Sequence, residues 1–187
     1  MTAALPEGSV VAVYGGSFNP PHVGHGLVAS WVLWTRQADA VWLLPSKSHP
    51  FAKSLASFER RVAMCEALAA LQGPRVAVCR IEEELPAPNY TFDVLTELTA
   101  RHPGLRFRLV AGADVVGDLP RWHRWEDLSA RFDPLIVGRQ GYPTPPGTID
   151  MPGVSSTAIR AALARGDAVD HLVPARVLEL ARGLYGP

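Results

Sequence analysis

The sequence carries no surplus of charge. Its 18 Lys and Arg balance 18 Asp and Glu, for a formal net charge of zero. The broad electrostatic footprint of a nucleic-acid binder is therefore missing. A small anionic ligand, which needs only a local cluster of donors, is not excluded. Cysteine is scarce. Cys65 and Cys79 have neither metal spacing nor a redox CxxC pattern, so both read as free buried thiols in a reducing compartment. No apolar run approaches the length of a membrane span, and the N-terminus lacks the basic start and apolar core of a secretion signal. The expected location is cytoplasmic, with no membrane partner. No GxGxxG follows the first strand and no acidic residue closes the second, which argues against a nicotinamide-dependent dehydrogenase. Neither a Ser-His-Asp nor a Cys-His arrangement is evident. Internal repeats, low-complexity tracts and linkers are also missing.

What remains is a chain of 187 residues, 48% of them hydrophobic, enough for one domain (residues 1–187) with a sizeable core. Strands are expected at Val10–Tyr14, Ala40–Leu44, Arg75–Arg80, Arg106–Ala111, Pro134–Val137 and Thr148–Met151. Between them, helices are expected at about Gly26–Thr35, Ser57–Leu71, Thr91–Arg101 and Glu126–Arg131, with a short one after Asp114. Helices at Ser156–Arg165 and Pro174–Leu184 close the chain. The first helix carries Leu27, Ser30, Trp31 and Trp34 near one stripe. The second has Ser57 as its cap and Val62, Cys65, Leu68 and Ala69 as its apolar face, and the Thr91 helix turns Phe92, Leu95 and Leu98 inward. Glu82–Asn89 reads as an acidic, proline-broken loop. Strands alternating with helices predict an α/β fold, a doubly wound (Rossmann-like) parallel sheet with helices on both faces and further helices at the C-terminus. In such a sheet ligands bind beyond the carboxyl ends of the strands.

The stretch from Val10 to His25, VVAVYGGSFNPPHVGH, is the centre of the chain. A β-branched apolar run ends in Gly15-Gly16, where the chain can turn sharply and bring bare backbone close to a ligand. Asn19-Pro20-Pro21 delays the helix. His22 and His25 then stand near the helix N-terminus, where unpaired N–H groups and the helix dipole attract anions. Such imidazoles can donate to phosphate oxygens; a metal pair or two solvated histidines are the plainer readings. Gly153-Val154-Ser155-Ser156-Thr157-Ala158-Ile159-Arg160 sets hydroxyls at a helix start and an arginine one turn in. That is an ordinary N-cap, or a cradle in which N–H groups, hydroxyls and a guanidinium share one anion. Gly112-Ala113-Asp114 places a carboxylate at a strand end, where it can accept from ribose hydroxyls or hold a loop. Trp122 and Trp125 are more often core than ligand platform at such spacing. The Ser46–Ser54 loop is a candidate lid carrying Lys47, His49 and Lys53.

GGSFNPPHVGH resembles the HxGH signature of the nucleotidylyltransferase superfamily, and its PPHVGH form is most similar to the bacterial nicotinate-nucleotide adenylyltransferases. VSSTAIR resembles that family's ISSTxIR string, with Val154 in place of isoleucine. The GAD segment, the LPxWxxW-like Leu119–Trp125 and the SYTxxT-like Asn89–Val94 extend the resemblance over most of the chain. It implies condensation of ATP with nicotinate mononucleotide in NAD synthesis, without a covalent intermediate. ATP would be bound by Gly15, Gly16, Ser17, Phe18, His22, His25, Gly112, Asp114, Ser155, Ser156, Thr157 and Arg160, of which His22, His25 and Arg160 would be catalytic. The mononucleotide would meet Ser17, Phe18, Lys53 (or Lys47), Tyr90, Thr91 and Trp122, with Trp122 stacked on the pyridine ring. Mg²⁺ would be carried with ATP, and no protein metal site is expected. Asn89 and Val94 depart from the family's serine and second threonine, so the acceptor could instead be nicotinamide mononucleotide or, less in keeping with Trp122, pantetheine phosphate. A nucleotide sensor without activity is the remaining alternative. A homo-oligomer stays open.

Overall fold

The computed structural model describes residues 5–47 and 55–185. Strands β1 (Val10–Gly16), β2 (Ala40–Pro45), β3 (Val76–Val78), β4 (Arg106–Gly112), β5 (Leu135–Arg139) and β6 (Asp150–Met151) form one sheet in the order β3-β2-β1-β4-β5-β6. Every pairing is parallel; at the centre, Val13 lies opposite Trp42 on one side and Leu109 on the other. The connections are α1 (Val23–Trp34), α2 (Phe58–Gln72), α3 (Ile81–Glu84), α4 (Thr91–Arg101), a 3-10 helix (Ala113–Arg121) and α5 (Trp125–Phe132). Helices α6 (Ser156–Ala164) and α7 (Ala175–Ala181) close the fold. This is the expected doubly wound, Rossmann-like arrangement. Strand order reverses between β1 and β4, so their carboxyl ends diverge into a crevice.

The pleat divides the core. Successive strand side chains point to opposite faces. Ala12 packs with Val28, Trp31, Val32, Met64, Leu68 and Val177 on one face. Val11 and Val13 pack with Phe92, Leu95, Leu98, Leu128 and Phe132 on the other. Ser57 caps α2, its hydroxyl accepting from the Arg60 N–H (3.4 Å), and the stripe Val62, Cys65, Leu68 and Ala69 is buried as its spacing predicts.

Four expectations are corrected. Helix α1 starts at Val23, ahead of Gly26, because His22 and His25 close its first turn between them. Its buried face is Val28, Ala29, Trp31, Val32 and Leu33, while Trp34 is 75% exposed and Leu27 lies outside as well. The acidic loop begins with the short helix α3, since Ile81 and Glu82 are buried and anchor it. Cys79 is only half-buried, unlike Cys65.

Strand β6 reaches β5 only because residue 138 is glycine. A Cβ there would lie 2.6 Å from the Ile149 carbonyl oxygen and 2.7 Å from Thr144 Cγ2. The backbone would have to move, so Gly138→Ala is expected to lower stability by about 1–3 kcal/mol. Urea unfolding measures this; an unchanged midpoint would show that β6 yields freely.

Candidate active site

Strand β1 delivers the glycine loop to the crevice. Gly15 has open space where a Cβ would stand, so its backbone is approachable. Phe18 turns the chain at φ +46°, in the left-handed region. Its ring is 1% exposed and packs on Tyr14 and His25, with centroids 5.8 and 4.8 Å away. Phe18 therefore meets a ligand through its backbone alone, and its side chain is core. Pro20 and Pro21 have no N–H, so this segment cannot pair its own carbonyls. Donors from elsewhere do so. Arg61 Nη1 donates to the Ser17 carbonyl (2.9 Å), Arg160 Nη1 to the Asn19 carbonyl (2.7 Å) and Ser156 Oγ to the Pro20 carbonyl (2.9 Å). The Asn19 side chain is fully buried, and its Oδ1 accepts from the Ala56 N–H (3.0 Å) and the Tyr185 hydroxyl (2.6 Å).

The two histidines define each other's state. The His22 N–H donates to His25 Nδ1 at 3.1 Å. A neutral imidazole whose Nδ1 accepts must carry its proton on Nε2, so His25 is an Nε2–H donor. The rings lie 3.8 Å apart. Burial, and then the charge of Arg139, push His22 down to about 4. Burial holds His25 well below the usual imidazole range, helped by His22 and Arg139. Both are thus neutral near pH 7, and each brings one N–H. His22 Nδ1 is buried against the first turn of α1, with no full hydrogen-bond partner among the described residues.

Across the crevice, the Asp114 carboxylate folds back over Gly112, where a Cβ would lie only 2.3 Å from its Oδ1. Its Oδ2 meets Arg139 Nη1 at 2.5 Å, and Arg139 Nη2 donates to the Val154 carbonyl (3.1 Å). Tyr14, buried beneath, has its hydroxyl pushed up by burial and by Asp114. Ser155 caps α6, accepting from the Ala158 N–H (3.4 Å). Arg160 Nη2 donates to Thr157 Oγ1 (3.3 Å). Thr157 and Arg160 line a cleft of about 490 Å³ with Leu55, Ala56, Leu184 and Tyr185. Another cleft, of about 370 Å³, opens at the amino ends of β1 and β4, on the wrong side of the sheet for a strand-end site.

The remaining candidates lie around α4 and the 3-10 helix. Tyr90 stands just before α4, its ring stacked on His123 (4.4 Å, 25°). Thr91 is the first residue of that helix. Trp122 is half-buried and meets Trp125 edge to face at 6.4 Å, both packing on the second core cluster. Val94 is completely buried, so it cannot touch a ligand. The Lys47 ammonium donates to the Glu83 carbonyl (3.1 Å), while the Lys47 N–H donates to buried Glu82 (2.8 Å). Lys53 and His49, with most of the candidate lid, lie outside the described residues.

Three contributors escaped the sequence reading. Arg61 is 1% exposed and holds the glycine loop from below. Its position one turn before Cys65 on an apolar stripe was the available signal, since a charge there must be paired. Arg139 is the last residue of a strand that ends at the crevice, which also could have marked it. Tyr185 left no local signal.

Comparison with known proteins agrees with this geometry. Residues 13–162 match the cytidylyltransferase-like family, and the chain belongs to it. Curated relatives that bear the name "probable nicotinate-nucleotide adenylyltransferase" match the chain over nearly its full length. The one from Anaeromyxobacter sp. (strain K) is 48% identical, covering 97% of this chain and 99% of its own length. That from Myxococcus xanthus is 49% identical over 94% of each. At that identity and coverage the chain falls among the nicotinate-nucleotide adenylyltransferases of the family. The fold is shared with Plasmodium falciparum nicotinic acid mononucleotide adenylyltransferase solved with NaAD, at TM-score 0.76 and 17% identity, covering 92% of this chain and 94% of that one.

The neutral histidines have a consequence for stability. Between pH 6.5 and about 4 the unfolded chain takes up a proton at residue 22 that the folded protein refuses. Stability contributed by His22 is therefore intact above pH 6.5 and falls as the pH drops toward 4. In urea unfolding at stepped pH, His22→Gln should show a shallower acid loss than the unsubstituted protein. Parallel curves would place His22 in water.

Proposed function

We propose that this chain transfers the adenylyl group of ATP to nicotinate mononucleotide, forming nicotinate adenine dinucleotide and pyrophosphate. One observation carries the reading: two phosphate-suited strings far apart in sequence are bonded together at the end of β1. Arg160 and Ser156 of the second string hold the Asn19 and Pro20 carbonyls of the first. One anion can therefore meet the glycine-loop backbone, the His25 Nε2–H, the hydroxyls of Ser155 and Thr157 and the Arg160 guanidinium. The names of the relatives support the same substrate.

The attacking group is the mononucleotide phosphate. Its second pKa is about 6, so it is largely ionised at pH 7 and needs no protein base. It attacks the α-phosphorus in line, the bond to the pyrophosphate oxygen breaks, and no covalent intermediate forms. Catalysis consists of positioning and of holding developing charge on fixed donors. Neutral His22 and His25 suit that work, being donors that lose no proton to the product. Arg160, with Ser155, Ser156 and Thr157, takes the departing phosphates, and Asp114 accepts from the ribose. Trp122 faces the pyridine ring, with Tyr90 and Thr91 at its carboxylate; Lys53 is assigned to the mononucleotide phosphate. The donor set at the crevice is imidazole, hydroxyl and guanidinium, which suits phosphate oxygens rather than a hard cation. Mg²⁺ accordingly enters with ATP as part of the substrate, held chiefly by phosphates.

Pyrophosphate release from Mg–ATP, followed with nicotinate and nicotinamide mononucleotides in parallel, tests the assignment. Preference for the acid is expected. Preference for the amide would keep the chemistry and change the acceptor, and release with neither would overturn the reading. His25→Ala should lower turnover by about a hundredfold or more, as loss of a fixed transition-state donor does, while circular dichroism shows an intact fold. Normal turnover would remove His25 from the mechanism.

A further inference from the structure

The connections after β4 and β6 each carry one half of the proposed nucleotide site, and they leave strands that are not neighbours in the sheet. Asp114 follows β4 and Val154 introduces the string that opens α6. Between them stands β5, and its last residue is Arg139. One guanidinium spans the gap: Nη1 lies 2.5 Å from Asp114 Oδ2 and Nη2 donates to the Val154 carbonyl at 3.1 Å. The side chain is 30% exposed, and that of Asp114 is 28% exposed, so the pair is sheltered but not sealed. A planar fork holds its two partners in a fixed relation, which a flexible ammonium does not. The Asp114 carboxylate is thereby held on both sides. Arg139 occupies Oδ2, and the bare backbone of Gly112 leaves room for Oδ1. A carboxylate fixed in this way is ready for a vicinal diol, because each hydroxyl can donate to it without a search for the rotamer.

We propose that Arg139 is a positioning residue for the adenosine half of the substrate, clamping the carboxylate that receives the ribose hydroxyls at a set distance from the segment that receives the phosphates. This rests on the adenylyl-transfer reading above. It is separable from it, because the reaction can proceed with a misplaced ribose. A purely structural tie between β4, β5 and β6 would stabilise the fold without distinguishing one nucleotide from another.

The test is steady-state kinetics of Arg139→Met and Arg139→Lys with ATP and with 2′-deoxy- and 3′-deoxy-ATP, beside thermal unfolding of each variant. The unsubstituted protein is expected to prefer ATP over both deoxy analogues in kcat/KM. In Arg139→Met the KM for ATP should rise about tenfold or more with a smaller change in kcat, and the preference for ATP should collapse toward unity. Arg139→Lys keeps the charge and loses the fork, and should recover only part of the preference. Added guanidinium ion should restore ATP discrimination in Arg139→Ala, whose short side chain leaves the place of the fork open. The proposal is overturned if the methionine variant melts earlier yet keeps the ATP preference and KM. It is overturned equally if the unsubstituted protein does not discriminate against the deoxy analogues while turning ATP over normally. Absence of pyrophosphate release in the unsubstituted protein would instead defeat the reading on which it stands.

Discussion

A backbone that cannot satisfy itself governs this structure. From Ser17 to Pro21 the chain is neither helix nor strand, two of its residues have no N–H, and its carbonyls still need donors. Arg61, Arg160 and Ser156 supply them, from α2 and from α6. The glycine loop thus takes much of its shape from two remote helices, with Ala56 and Tyr185 holding the Asn19 side chain. The same bonds that satisfy the loop bring the second phosphate-suited string against the first. Satisfying the backbone and assembling the site are one event, and a fault in either helix would be felt at the ligand.

The protein is neutral overall, yet cations are concentrated around the crevice. Arg61 lies beneath the loop, Arg160 at the α6 side and Arg139 at the β5 end. None is free in water: carbonyl oxygens take part of every one of them. A guanidinium has five N–H donors, so it can hold backbone and still present charge. The histidines complement this arrangement by remaining uncharged. An imidazolium within reach of the Arg139 charge would add repulsion before the substrate arrived, and burial keeps both rings neutral.

Most of the fold was legible because its periods are clean. β1, β2 and β4 run as apolar stretches, and α2 and α4 show their buried stripes openly. The short β3 and the helix α3 were harder, since their boundaries are set by what they pack against, as with Glu82 anchored to the Lys47 N–H. At the site, the motif residues around β1 and α6 could be read from their chemistry. Their relation to each other could not, because carbonyl-to-side-chain bonds leave no periodic trace. Trp34 shows the opposite failure: helical spacing put it on a stripe, but spacing alone does not say where the stripe ends. Trp122, to which the family resemblance gives a ligand role, packs edge to face with Trp125 in one cluster.

The Tyr185 hydroxyl on Asn19 joins two residues 166 positions apart in the chain. During synthesis the first strand and its glycine loop leave the ribosome early, but the bond that helps hold the loop needs a residue made much later. The early half of the molecule can form β1 and α1 from local contacts, while the loop between them waits for the late half to return. The contacts that complete the phosphate-holding end of the crevice can therefore form only once the late half of the chain has been made, although its most recognisable residues are among the first.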